Sequence, residues 1–465
     1  MAPARRLAYQ VLRDAFERGA HAERAFRAGA ERLGLAGRER AQAQRLAYGA
    51  VQRRGTADAA VARLAGRSPR LVDPPVLAAL RLGLYELLFA DRTPDHAAVD
   101  QAVELVKLGG AVHAAGFANA VLRRAARERE ELVAALLGDD STPEAAAVAH
   151  SAPPWLARMW WEELGPEGAR ALLAAGNEPA EVALRADPTP AERAAGTDPA
   201  AVRERALAEL REGGVEAEPA PGPWPLAPPE SIVVRGRLGE RAAALVAAGR
   251  LTPQSRGSAA VVEALGPRPG ERVLDLCAGP GIKTGQIAAR MADRGEVISV
   301  ELDPERAAEV AEQARRLGLR SVSVAEADAA DAALPSGFDR VLLDAPCSDL
   351  GALASRPDAR WRKSPRAIER LAAIQDAALR TAASALRPGG VLVYATCTVS
   401  RRENEERVAA LLEASRVGEA PPLELEDLGA RAPGLASAAE PRCLQLRPDR
   451  DRTTGFFVAR LRRHD

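Results

Sequence analysis

Two cysteines of this 465-residue chain stand where a thiol can do chemistry as well as pack. Cys397 closes the apolar run VLVYATC, and Cys347 follows FDRVLLDAPC, with Asp344 three residues before it. A lone cysteine at the end of a β-run is ordinarily a small buried hydrophobe. Two of them, 50 positions apart, each just after a strand whose carboxyl end faces a common crevice, favour one shared substrate. A thiolate in that position adds to an electron-poor centre and divides one difficult step into two. An ordinary thiol is only a few per cent ionised at neutral pH, so its surroundings must favour the anion.

The neighbouring motifs indicate what else the crevice holds. RVLDLC runs into AGPGIKT, where Gly279, Pro280 and Gly281 allow a tight turn and close backbone approach. The next strand ends in VELD, 26 residues after Asp275, which sets Glu301 where an acid grips ribose hydroxyls. Asp328, in EAD at the end of the third strand, is placed either to accept from an adenine amino group or as an exposed loop acid. Lys283 and Thr284 occupy the place of the third glycine of a dinucleotide site, and the spacing of a P-loop is absent. S-adenosylmethionine has no phosphate to cradle, and a short glycine turn suffices for it. A sulfonium methyl donor beside a thiol suits carbon 5 of cytosine, which is too electron-poor to be methylated until a thiolate has added at carbon 6. Asp344 would then hydrogen-bond the base at N3 and its amino edge, and Cys347 would assist either release of the product or removal of the C5 proton. The segment 356–366, RPDARWRKSPR, places Arg356, Arg360, Arg362 and Lys363 around Trp361. That composition suits a phosphate backbone with a stacked base, or an ordinary solvated loop. An unpaired or flipped cytosine is required, so looped RNA is the easier target.

These motifs need a scaffold of alternating strands and helices, and residues 251–465 carry one: a parallel, doubly wound sheet is predicted there. Residues 1–137 read as a helical domain of six or seven helices, with breaks at Gly55, RSPRLVDPP and RTPDH. Phe117, Val121 and Leu122 share one face of the helix in GFANAVLRR. Residues 138–250 read as a small mixed α/β segment, with the proline-rich stretch 217–229 as a surface loop. The fold class is therefore multidomain, α followed by α/β. The 64 basic and 64 acidic side chains cancel, so any RNA binding must rest on local basic surface. No apolar run is long enough to span a membrane, and the N-terminus lacks the core of a signal peptide. The four cysteines form no CxxC pair and meet no histidine cluster, so no metal is expected. A reduced, cytoplasmic enzyme, monomeric by default, is expected.

The quoted motifs resemble those of the Sun/Fmu-type RNA cytosine-5 methyltransferases that act on small-subunit (16S) ribosomal RNA. DLCAGPGIKT is similar to their cofactor motif, LLDAPCSDLGALASRPDARW to their PCS motif with its RPD-x-RW tail, and YATCTVSRRENE to the motif of their nucleophile. RTPDHAAVDQAVELVK with GFANAVLRR resembles a NusB-type RNA-binding domain; HSAPPWL and LTPQSRGSAAVV resemble the stretches that open the middle and catalytic parts. The resemblance implies a NusB-like bundle, a middle segment and a Rossmann-like class I methyltransferase domain. It implies that Cys277, Ala278, Gly279, Pro280, Gly281, Ile282, Lys283, Glu301, Asp328 and Asp344 hold S-adenosylmethionine, with Asp344 near the base too. Cys397 attacks and Cys347 assists. The chain departs from the pattern at Ile282 and Asp349, each in place of a glycine, at Thr454 in place of an acid, and in ALRADP, which lacks an asparagine. An Ile at 282 requires the backbone there to avoid positive φ. The alternatives are a tRNA-modifying relative, a non-catalytic RNA-binding or antitermination factor on the same fold, and a nicotinamide-dependent oxidoreductase. GPGIKT and the lack of a placed hydride-transfer partner disfavour the last.

Overall fold

The computed structural model describes residues 2–90, 93–330 and 334–465; Arg92, the first residue of the expected RTPDH break, lies outside them. The chain forms two compact units, Met1–Pro179 with Leu353–Ser364, and Ala180–Ala352 with Pro365–Asp465. The division differs from the three segments expected. Helices Pro143–Ala149 and Pro154–Ala175 belong to the first unit, so residue 138 is no boundary between compact units, and the sheet of the middle segment belongs to the second.

The first unit is helical throughout. Eight α-helices lie between Pro3 and Leu137 among the described residues, against the six or seven expected. Gly55 is not a break: it lies inside helix Arg54–Ala65, and the interruption is at Arg53. Close packing explains the glycine, because a Cβ there would lie 2.9 Å from the Trp361 ring and 3.2 Å from Ser151 Oγ. Helix Pro74–Phe89 is buried on all sides from Val76 to Leu88, as befits a helix apolar all round. Its two buried charges are paired, Arg81 with Asp58 at 2.7 Å and Glu86 with Arg5 at 2.8 Å, which spares the unit an uncompensated buried ion. In helix Ala115–Arg127, Val121 and Leu122 are buried and Phe117 packs against the same core.

The second unit holds two sheets. The first comprises β1 (Ala183–Ala186), β2 (Glu216–Pro219), β3 (Ser231–Arg235) and β4 (Leu251–Pro253), antiparallel in the order β2-β3-β1-β4. Of the expected loop 217–229, residues 217–219 lie in β2 and the rest is the loop to β3, anchored by buried Leu226 and by Trp224, whose indole N–H donates to Glu263 at 3.1 Å. The large sheet comprises β5 (Arg272–Leu276), β6 (Glu296–Glu301), β7 (Val322–Glu326), β8 (Phe338–Asp344), β9 (Leu386–Thr396), β10 (Leu423–Leu425), β11 (Leu444–Gln445) and β12 (Phe457–Arg463). Its order is β10-β12-β9-β8-β5-β6-β7, with β11 beside β12. The five strands β5 to β9 are parallel, as the alternation with helices predicts. The sheet as a whole is mixed, because β12 runs antiparallel to β9. The strand order reverses at β5 and β8, and there the carboxyl ends of parallel strands open a crevice.

Candidate functional site

The glycine turn leaves the end of β5. Asp275 is 1% exposed, and the Thr284 hydroxyl donates to its Oδ2 at 2.6 Å while Oδ1 is buried without a partner. Burial pushes this carboxyl up to about 7, and the Thr284 bond only partly offsets the effect. Gly279 donates its N–H to Glu301 Oε2 at 2.9 Å, and Arg306 donates to the Gly279 carbonyl. A Cβ at Gly279 would lie 2.5 Å from that carboxylate oxygen, so the close approach of Glu301 and Arg306 requires glycine there. Gly281 takes the positive φ, 90°, and Ile282 follows as the first helical residue. The substitution of Ile for glycine is thus accommodated with a negative φ. Lys283 reaches Asp344 Oδ2 at 2.5 Å, tying the turn after β5 to the end of β8. Glu301 is buried at the end of β6; Asp328 is exposed beyond β7 and accepts the N–H of Ala330 at 2.9 Å.

The two cysteines meet one strand further along. Asp344 lies beside Ala395 in the β8–β9 ladder, and the turns that follow bring Cys347 Sγ within 3.3 Å of Cys397 Sγ. Cys347 is 7% exposed, and Cys397 is half-buried. The Cys397 thiol also donates to Asp349 Oδ1 at 3.3 Å. Asp349 has φ 60°, in the left-handed region, which accounts physically for the glycine that the resembling family carries there. The other two cysteines are differently placed: burial pushes the thiols of Cys277 and Cys443 well above their ordinary range, which disfavours their thiolates.

A buried polar frame that the sequence reading missed holds both cysteine turns. Ser348 and Thr398, each following its cysteine, share a hydrogen bond of 2.8 Å. Glu403, fully buried, accepts from the Ser348 N–H at 2.8 Å, from the Ser348 hydroxyl and from Gln375. Asn404 accepts from Thr396 at 2.5 Å and donates to the Thr398 carbonyl at 3.2 Å. The signal was present in RRENE, as polar residues where a helix follows a strand. A second frame starts in ALRADP. Arg185, 1% exposed, donates to the Ile282 carbonyl at 2.6 Å, to Gln254 at 2.7 Å and to Asp187 at 2.7 Å, fixing the helix that opens the cofactor turn.

The basic segment after Cys347 is corrected. Its residues up to Ser364 belong to the helical unit, and Arg360, 1% exposed, is spent on the carbonyls of Ser151 and Gly176, at 3.0 and 2.6 Å, and on Asn177. Burial pulls its guanidinium down to about 9. The Trp361 indole donates to the Val51 carbonyl at 2.9 Å, and Arg362 pairs with Asp358 at 2.7 Å. Arg360 and Trp361 are structural here, because a buried guanidinium and an indole packed on the core offer no surface to a phosphate or a base. Arg356 is exposed and Lys363 half-buried.

Sequence comparison divides the chain similarly. The profile described as 16S rRNA methyltransferase RsmB/F matches residues 262–462, and that of the NusB family matches residues 2–127. A Mycobacterium tuberculosis protein named as a methyltransferase is 36% identical over 471 aligned residues, spanning 99% of this chain and 96% of its own. The ribosomal RNA small subunit methyltransferase B of Klebsiella pneumoniae is 30% identical over 431 residues, or 91% and 90% of the two chains. Among solved structures, PH0851 has a TM-score of 0.79 at 23% identity, over 99% of this chain and 98% of that one. NSun6 from Pyrococcus horikoshii, solved with SFG, has a TM-score of 0.56 at 22% identity, over 67% and 98%. These last two are likenesses of fold.

Proposed function

Because the chain belongs to the RsmB/F family of 16S rRNA methyltransferases, we propose that it methylates carbon 5 of a cytosine in small-subunit ribosomal RNA, with Cys397 as nucleophile. The observation that carries this reading is the pair of thiols 3.3 Å apart at the ends of β8 and β9, beside the turn after β5. S-adenosylmethionine, when bound, supplies the methyl group. The residues fit such a group. Asp275 Oδ1 is a buried acceptor without a donor, and Glu301 presents a carboxylate at the end of β6 against the Gly279 N–H. Residues 277–283, with Glu301, Asp328 and Asp344, would hold it. The NusB domain serves as the RNA-binding part, and the enzyme works in the cytoplasm.

The chain's own groups divide the work. The Cys397 thiolate forms a bond to carbon 6, and the displaced ring electrons make carbon 5 nucleophilic. Asp344, held by Lys283, faces the pyrimidine edge and stabilises the charge that develops during addition. Once carbon 5 carries the methyl group, Cys347 takes its proton. The C5–C6 double bond re-forms, and the Cys397 thiolate leaves. Ser348, Thr398 and Glu403 position both thiols. In the test, Cys397→Ala abolishes methyl transfer to ribosomal RNA while S-adenosylmethionine still binds, and Cys347→Ala accumulates an enzyme–RNA adduct that survives denaturing gels. Turnover by Cys397→Ala ends the proposal. An adduct trapped by Cys397→Ala instead exchanges the two roles, and methylation of tRNA but not ribosomal RNA moves the chain to the other substrate.

A further inference from the structure

We propose that Cys347, Asp349 and Cys397 form a binding site for a soft divalent cation, represented by zinc, and that its occupancy silences the thiol pair. The silencing rests on Cys397 being the nucleophile; the binding does not. The two sulfur atoms are 3.3 Å apart, Asp349 Oδ1 is 3.3 Å from Cys397 Sγ, and all three donor atoms lie within 4.8 Å of one another. Zinc bonds of about 2.3 Å to thiolate and about 2.0–2.2 Å to carboxylate put tetrahedral donors roughly 3.6–3.8 Å apart. The two pairs at 3.3 Å need to open by only a few tenths of an ångström to reach this spacing, and Cys347 Sγ and Asp349 Oδ1 are already within 4.8 Å of each other. Thiolate with carboxylate is a donor set that selects zinc-like ions over magnesium or calcium. The Ser348–Thr398 bond and Glu403 fix the two turns that carry the donors, an outer shell of the kind that preorganises metal ligands. Three protein donors leave the fourth position to water, and the two thiol protons leave to solvent as the ion binds.

Asp349 makes this a property of the present chain. At φ 60° it stands in a conformation that favours glycine, and a glycine there would leave two thiols and no third donor. Sequence spacing conceals the site, because its donors come from segments 50 positions apart with no CxxC between them.

Full-length protein kept reduced with a phosphine and titrated with Co²⁺ as the visible probe tests the proposal. One equivalent should give a thiolate-to-cobalt charge-transfer band that Zn²⁺ displaces. Asp349→Gly should weaken Zn²⁺ binding by about tenfold or more, and glycine suits the backbone at that position. Cys347→Ser and Cys397→Ser, nearly isosteric, should each reduce or abolish the band, so the test stands even where Asp349→Gly folds poorly. Methyl transfer inhibited by Zn²⁺ should return on chelation. The proposal is overturned by absence of the band in the wild type, by a band undiminished in Cys397→Ser, or by equal Zn²⁺ affinity in folded Asp349→Gly. Cobalt binding by the wild type together with methyl transfer by Cys397→Ala would retain the site and discard the nucleophile.

Discussion

Asp275 makes the catalytic unit sensitive to pH in a direction opposite to that of a salt-bridged acid. It lies at the end of β5 with one oxygen held by Thr284 and the other unpartnered, and burial, with smaller contributions from the charges of Asp344 and Glu301, pushes it up to about 7 from an ordinary 3.8. The folded chain therefore retains a proton that the unfolded chain has lost. Its contribution to stability is fully present below the ordinary value and is lost as pH rises through about 7. A shift of about three units corresponds to roughly 4 kcal/mol, of which more than half, roughly 2–3 kcal/mol, is lost between about pH 5 and 8. Asp275→Asn keeps an acceptor for Thr284 and does not titrate. Hydrogen exchange of peptides from Arg272–Leu276 and Ile282–Arg290, compared between wild type and variant at each pH, isolates this region from the helical unit. Wild-type protection should fall relative to the variant as pH rises. Saturating S-adenosylmethionine, by offering a donor to Oδ1, should flatten the wild-type profile. Parallel profiles of the two proteins across the range would refute the reasoning.

Three further substitutions test buried hydrogen-bond frames in the two units. Arg360→Met takes a guanidinium donor from the Ser151 carbonyl and Asn177, whereas the Gly176 carbonyl keeps Gln52. It should destabilise the helical unit by about 3 kcal/mol, read by urea unfolding followed through the tryptophans, and undiminished stability would contradict the structural role. Glu403→Gln should slow methyl transfer about tenfold, with little change in cofactor affinity and roughly 2 kcal/mol lost in stability. A matching loss of cofactor affinity would place its effect elsewhere. Arg185→Met leaves buried Asp187 without its cation, at a cost of about 3–5 kcal/mol, and loosens the Ile282 carbonyl. Calorimetry should find S-adenosylmethionine binding about tenfold weaker, and unchanged affinity in folded protein would separate this frame from the cofactor turn.

What the sequence discloses about this molecule follows from how locally each feature is encoded. The glycine turn, Glu301 and the two cysteines each sit at the end of a short apolar strand, so period and spacing are enough to place them at one sheet edge. The antiparallel β12 escapes the same reading, because FVARLRR carries charges at positions that alternation with helices does not explain until β9 is known to lie beside it. Arg360 and Trp361 mislead for a related reason. A cation beside an aromatic ring has the composition of an RNA contact, and only tertiary structure reveals that the carbonyls at the end of helix Pro154–Ala175 and at Ser151 need a donor there. Glu403 and Arg185 are the converse, charged residues whose buried partners come from distant segments and so leave no periodic trace. Asp349 lies between the two kinds. Its departure from glycine is visible in the sequence, yet its consequence depends on a φ of 60° and a thiol 48 residues away. The residues proposed to react are thus legible from strand ends, whereas those that hold them in register are set by buried hydrogen-bond partners that no local pattern specifies.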